Sequence, residues 1–218
     1  ASHQFRTPLS VIFSNSELID FKAEQLPDNQ SEGFKSLSKR IKLEVDRMTE
    51  LMNNILVFGK YDSGEIKVIK KPIDLQLYVN SLNEIYYTNQ KDGRKLKIYS
   101  IGNSKTLVSD EQLMTHILTN LISNAFKYSI GRPSPELIIQ FENHNVLIQV
   151  KDYGIGVPKE DLQNLFHSFY RASNTTNIKG SGLGLVIAKQ FTELLNGKIL
   201  VESDEFKGST FTIEFPYE

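Results

Sequence analysis

Four short stretches carry residue types and spacings that can do chemistry. The first is DYGIG, residues 152–156, where Asp152 ends an apolar alternating run and is followed by Gly154 and Gly156. Glycine lets backbone approach a ligand closely. A carboxylate placed there can accept a hydrogen bond from the exocyclic amino group of adenine; guanine has a carbonyl at the same place, which would repel it. The alternative is an ordinary Asp-Gly turn. The second is GSGLGL, with Gly180, Ser181, Gly182, Leu183 and Gly184 opening a helical pattern. Free N–H groups at a helix start favour anions such as phosphate. The stretch is neither a P-loop nor a Rossmann fingerprint, because it lacks GK[ST] and position 185 is leucine. The third is NLISNAFKYS, in which Asn120 and Asn124 are four apart and share one helix face, with Lys127 and Tyr128 one turn on. Amide oxygens are hard ligands suited to Mg²⁺, and a lysine supplies charge for phosphate. The alternative is a polar stripe on a solvated face. The fourth is SHQFRTPLS, where His3 lies one turn before Pro8 in a helical pattern. A proline removes the N–H that would bond the Gln4 carbonyl, which predicts a kinked, loosened turn beside the imidazole. The alternative is a surface histidine on a kinked helix.

The elements that must position these groups can be read from periodicity. Phe5, Leu9, Ile12, Leu18 and Phe21 recur at helical steps, apart from one longer gap. LPDNQSEG (26–33) reads as a turn. Phe34, Leu37, Ile41, Val45, Met48, Leu51, Ile55 and Phe58 then form a near-heptad seam. Two helices joined by a short turn make an antiparallel hairpin, and a second copy of the chain would bury the remaining apolar seam in a four-helix bundle. Residues 1–62 are therefore read as the hairpin, 63–72 as a linker, and 73–218 as a second domain. In that domain Asp74 and Asp110 are placed to cap helices. Short strands are expected at 95–101 and 105–108, and hairpins at ELIIQFEN/NVLIQVKD and GKILVES/GSTFTIEF. A helix over 183–195 should end at Gly197. The fold class is α+β, a helical hairpin followed by an α/β sandwich built of hairpins and not of βαβ repeats.

Composition narrows the classes. The net charge of −1, from 25 basic and 26 acidic residues in 218, gives no bulk attraction for nucleic acid or an anionic membrane. With no cysteine, disulfides, thiolate zinc sites and a cysteine nucleophile are excluded. No apolar run approaches the ~18 residues that span a bilayer, and no signal peptide is evident. The chain opens inside a helical pattern, so it reads as a piece of a longer protein; any sensor or membrane anchor would lie upstream.

Taken together, the order and spacing of NLISNAFKYS, DYGIG and GSGLGL resemble the N, G1 and G2 boxes of the histidine-kinase catalytic domain, within the ATP-binding fold shared with gyrase, Hsp90 and MutL. LFHSFYRAS (165–173) resembles its F box, and SHQFRTPLS resembles the H box of sensor histidine kinases. The resemblance covers essentially the whole chain. It implies ATP and Mg²⁺ as ligand and cofactor: adenine on Asp152, Mg²⁺ through Asn124 with Asn120 close by, and phosphates under the 180–184 loop. It also implies a phosphoacceptor role for His3, a homodimer through the hairpin, and transfer to an aspartate of a response-regulator receiver domain. Arg171 resembles a phosphate-contacting arginine. Lys179 is placed to reach phosphate, and Tyr128 to pack on adenine. Phe166 and Phe169 read as core residues or as docking points for a lid at 172–181, which should order with nucleotide. His116, His144 and His167 read as structural or solvated.

One position departs from the family pattern. The acid that usually follows the histidine is Gln4 here, which can accept an N–H bond but takes up no proton. Slower autophosphorylation is expected. Thr7, one turn after His3, occupies a position that in the family assists regulator dephosphorylation. Two rival classes remain: a regulator phosphatase or scaffold with weak kinase activity, and an ATPase clamp of the gyrase or Hsp90 type. The expected location is cytoplasmic, with room for an inner-membrane anchor in segments ahead of this chain.

Overall fold

Gly64 sets the division of the chain. Helix α2 (Asp28–Asp62) ends with Gly64 in the left-handed region at φ 68°. Its N–H bonds the Tyr61 carbonyl, and the Glu65 N–H bonds the Lys60 carbonyl, the paired closure of a Schellman motif. Compact packing divides just beyond, between Glu65 and Ile66. The structure is a computed structural model that describes residues 2–88, 90, 92–176, 178 and 180–217, with the side chains of 2–7, 28–30, 47, 50 and 62 outside that set.

In the first unit α1 (Ser2–Ala23) packs on α2 as a hairpin, with Pro8 inside α1. The turn is shorter than the sequence suggests. Asp28–Gly33, expected as part of a turn, are the first residues of α2, and only residues 24–27 connect the helices. Pro27 sits just ahead of the helix, where its fixed φ suits the first turn. A 35-residue helix absorbs Gly33 at a cost of about 1 kcal/mol. Small residues let the helices approach: Ser38 Oγ donates to the Ser16 carbonyl at 2.6 Å, and both serines are fully buried. Lys42 reaches Asp20 at 2.7 Å and lies over the Phe13 ring. Much of the predicted seam stays exposed: Ile12, Leu18, Phe21, Phe34, Leu37, Met48 and Ile55 are all near half exposed or more. Among the described residues no helix is long and apolar enough to cross a membrane.

The second unit is a two-layer sandwich. Strands β1 (Lys71–Ile73) and β3 (Leu107–Ser109) form a small antiparallel pair. Lys71 and Pro72, expected at the end of a linker, are thus paired strand. Asp110 joins this pair to helix α4 (Glu111–Tyr128). Its Oδ2 accepts from the Ile69 N–H at 2.7 Å, while Oδ1 caps α4 through Gln112 and Leu113. Asp74 caps α3 (Leu75–Tyr86) in the same way. The main sheet runs in the order β2 (Lys97–Ile101), β4 (Glu136–Phe141), β5 (Asn145–Lys151), β7 (Gly208–Pro216) and β6 (Lys198–Asp204). Three pairings are antiparallel: the two expected hairpins, β4–β5 and β6–β7, and the β5–β7 pair that joins them. The β2–β4 pairing is parallel, so one crossover through β3 and α4 enters a sheet expected to hold hairpins alone. Strand alternation fixes the buried face. Leu137, Ile139, Val146, Ile148, Val150, Ile213 and Phe215 pack toward Met114, Ile117, Leu118, Leu121 and Ile122 of α4 and Phe191 of α5 (Gly184–Leu194). Each such side chain contributes roughly 1.5–3 kcal/mol. Helix α5 closes with Asn196 at φ 61° as its left-handed residue, not with Gly197. Gly197 is small for a different reason: a Cβ there would lie 2.6 Å from the Phe215 ring.

Candidate active site

The C-terminal half of α4, the loop after β5 and the start of α5 converge. Asp110 fixes the start of α4, and the buried stripe Ile117–Leu118–Leu121–Ile122–Ala125 seats the helix on the sheet. That seating leaves Asn120, Asn124, Lys127 and Tyr128 partly exposed along one side. The Asn120 Nδ2 donates back to the His116 carbonyl at 2.8 Å, and its Oδ1 lies 2.7 Å from where a Cβ on Gly184 would stand. The Asn124 amide makes no hydrogen bond with any described residue. The Lys127 ammonium lies 4.8 Å from the Tyr128 ring centroid and would be 2.6 Å from a Cβ on Gly180.

Asp152 follows β5 and is only 5% exposed. Its Oδ1 accepts from the Gly154 N–H at 2.8 Å. Burial pushes its carboxyl up to about 6, against the opposing pull of the Gly154 and Ser209 N–H groups. Gly154 passes so close to α4 that a Cβ would meet the Tyr128 carbonyl at 2.2 Å, and the Ile155 N–H donates to that carbonyl. Gly156, at φ 63°, crosses the Asp204 carbonyl equally closely. The DYGIG glycines are thus required by backbone crossings that fix the carboxylate against the end of α4.

The lid segment is anchored by Asp161 and Asn174, which no motif singles out. Asp161 accepts from the Tyr170 hydroxyl through one oxygen and from the Ser173 N–H and Oγ through the other, both at 2.8 Å. These partners, the Tyr170 hydroxyl first, hold its carboxyl below the usual carboxylate range. Asn174 Nδ2 donates to the Gly156 carbonyl at 3.0 Å, tying the lid to the DYGIG loop. Arg171, expected at phosphate, turns its Nη2 onto the Thr175 and Ile178 carbonyls of the lid itself. Phe169, expected in the core, is 64% exposed. Its backbone lies in the left-handed region at φ 64°, and its N–H is held by the Gly182 carbonyl. Phe166 packs against the cluster of Val157, Leu165 and Ala172. The core reading therefore holds at Phe166 and not at Phe169, because a left-handed backbone at 169 cannot be seen in residue types. Gly182 is itself at φ 73°, and a Cβ added there would stand less than 3 Å from the Phe169 and Tyr170 backbone. Gly182→Ala should lower the unfolding free energy by about 1–3 kcal/mol. The measurement is a urea melt with unchanged slope, and an unmoved midpoint contradicts the packing described.

Helix α5 starts at Gly184 with no side-chain cap, and its first internal bond runs from the Ile187 N–H to the Leu183 carbonyl. The N–H groups of Gly184, Leu185 and Val186 therefore have no acceptor within the helix. Ser181 Oγ accepts from the Leu183 N–H, and the Leu183 side chain is buried core. Lys179 and the side chains of His3, Gln4 and Thr7 lie outside the described residues. The donor set fits a magnesium nucleotide: an unpartnered amide oxygen, a nearby ammonium and a helix start with open N–H groups suit phosphates and a hard cation. Asp161 and Asn174 carry no readable signal in the sequence, since their partners are two hydroxyls, a backbone N–H and a carbonyl brought to them by the fold.

Residues 109–218 match the profile of the histidine kinase-, DNA gyrase B- and HSP90-like ATPases, and residues 1–64 match that of the His Kinase A phospho-acceptor domain. The chain belongs to that ATPase family, and the phospho-acceptor domain ahead of it places it among the two-component sensor histidine kinases. Among curated relatives, the sensor protein kinase WalK of Staphylococcus haemolyticus is 30% identical over 223 residues, and the sensor histidine kinase WalK of Bacillus subtilis is 31% identical over 226. Both alignments cover all of this chain and 36% of the relative, so the chain spans about a third of their length. Full-length ShkA, crystallised with AMPPNP, shares the fold over 99% of this chain and 44% of its own at a TM-score of 0.75 and 23% identity. The Acinetobacter baumannii histidine kinase AdeS does so over 99% and 98%, at a TM-score of 0.66 and 19% identity.

Proposed function

We propose that this chain is a kinase core that moves the γ-phosphoryl group of ATP onto His3 and from there to an aspartate of a response-regulator receiver domain. The observation that carries the reading is the presence, on one chain, of a phospho-acceptor hairpin and a site whose buried Asp152 carboxylate, unpartnered Asn124 amide and open α5 start match the three parts of a nucleotide. Asp152 accepts the adenine amino group. Lys127 and the α5 N–H groups hold phosphate oxygens, with Gly180, Gly182 and Gly184 keeping backbone close. Asn124, with Asn120 beside it, would hold Mg²⁺, which would supply charge neutralisation at the phosphates. The neutral His3 ring forms the N–P bond as the bond to the β,γ-bridging oxygen breaks and ADP leaves. Such transfer depends chiefly on alignment and charge neutralisation. Gln4 accepts the ring N–H but takes no proton, which slows the step.

The half-exposed apolar seam of the hairpin supports a homodimer, in which the seams of two copies cover one another. The same reading places the core in the cytoplasm, held at the inner membrane by other segments of a longer protein. Gln4 also favours a second reading, in which phosphatase activity toward the regulator dominates, with Thr7 orienting water. Comparing label gained by the kinase with label lost from a phosphorylated receiver separates the two. An ATPase clamp is tested by His3→Ala. Undiminished ATP hydrolysis in that variant favours the clamp, whereas the kinase reading expects it to bind ATP and gain no label.

A further inference from the structure

The end of α4 is held from outside by Arg94, and neither family profile reaches that residue. Nη2 of Arg94 donates to the Phe126 carbonyl at 2.7 Å. Its Nη1 donates to the Ser129 carbonyl and hydroxyl, each at 2.7 Å. Asp92 holds the remaining Nε at 2.6 Å, and the guanidinium carbon sits 5.3 Å from the Phe126 ring centroid. Tyr87 stacks on the same ring and bonds the Thr119 carbonyl. The last carbonyls of a helix lack partners within it. Here Ser129 Oγ takes that of Ala125, Arg94 takes that of Phe126, and the Ile155 N–H takes that of Tyr128. The turn so fixed carries Lys127 and Tyr128, lies one turn beyond Asn124, and is the surface on which Gly154 sets Asp152.

We infer that Arg94 is a positioning residue for the nucleotide site: its fork locks the last turn of α4 so that Asn124, Lys127 and the Asp152 loop hold one alignment. This rests on the nucleotide reading above. A planar fork is needed because two carbonyls and a hydroxyl are engaged at once, which an ammonium cannot match. A cation also suits the negative end of the helix dipole.

The test is calorimetric titration of the full chain with ADP and with adenosine at a temperature well below unfolding. Arg94→Met keeps the stem over Phe126 and removes the donors. It is expected to weaken both ligands about tenfold and to speed amide exchange in the peptide covering residues 124–130. Arg94→Lys should recover less than half of that loss in free energy. A role in bulk stability alone would lower the melting temperature and leave affinity in the folded protein unchanged. Wild-type-like affinity in Arg94→Met, within twofold, overturns the inference. If that variant does not fold, equal binding by Arg94→Lys and Asp92→Asn overturns it. Should the wild type bind neither ligand, the nucleotide reading itself fails and the inference falls with it.

Discussion

Asp152→Asn is expected to weaken adenosine binding about 100-fold or more while stabilising the empty protein at pH 8. The two effects have one cause. The Asp152 carboxylate is buried, and burial lifts its pKa from an ordinary 3.8 to about 6. A group raised in the folded state contributes stability that is fully present below its unfolded pKa and is lost as pH rises through the folded one. That window runs from about pH 4 to pH 6, and the loss is roughly 3 kcal/mol at about 1.4 kcal/mol per pH unit. Above pH 6 the empty site therefore holds a charge that lacks a full set of donors, and an amino group from a ligand supplies one. Asparagine keeps an oxygen for the Gly154 N–H but presents an NH₂ to the ligand, donor against donor. Adenosine has no phosphate to titrate, so its affinity for the wild type should rise between pH 5 and 7 and then level. The variant should show no such rise. Binding within threefold of wild type, or a variant no more stable than wild type at pH 8, contradicts this account of the carboxylate.

Asn124→Leu is expected to reduce the rate of labelling from Mg-ATP by about 100-fold or more, the scale of several kcal/mol of charge stabilisation, with adenosine affinity unchanged within threefold. The amide stands partly exposed on α4 without a hydrogen-bond partner among the described residues, so its removal breaks no hydrogen bond to them. Leucine is at least as good a helix former, and the buried stripe on the opposite side of α4 is untouched. Any loss therefore reports on the ligand alone. Asp152 and Asn124 then separate cleanly: one variant loses the base, the other loses the cation and phosphates. A labelling rate within fivefold of wild type would remove Asn124 from the metal site.

Much of this arrangement is legible in the sequence because its causes are local. Asp74 and Asp110 announce their helices by type and position, and the alternation in 136–151 and 198–216 fixes both hairpins and their buried face. Asn120 and Asn124 stand out because their spacing puts them on one helix face, and the resemblance to the N, G1 and G2 boxes is what joins them to Asp152 and the glycines. What stays hidden depends on partners far along the chain. The parallel β2–β4 pair leaves no mark in either strand. Arg94 looks like one more charged residue in a turn until the Phe126 carbonyl, 32 residues on, is brought to it. Asp161 and Arg171 are likewise defined by the folded lid, where the Arg171 guanidinium meets the Thr175 and Ile178 carbonyls. Residues 28–33 mislead for a simpler reason: turn-forming residue types are tolerated at the start of a long helix when packing beyond them decides.

The central claim concerns one covalent bond. Incubating the full chain with γ-labelled Mg-ATP, trapping the product at alkaline pH and mapping it by mass spectrometry should place acid-labile phosphate on His3, slowly, and place none anywhere in a His3→Gln protein that still binds nucleotide. Phosphate on another side chain, or a wild type that binds Mg-ATP and never becomes labelled, would contradict it.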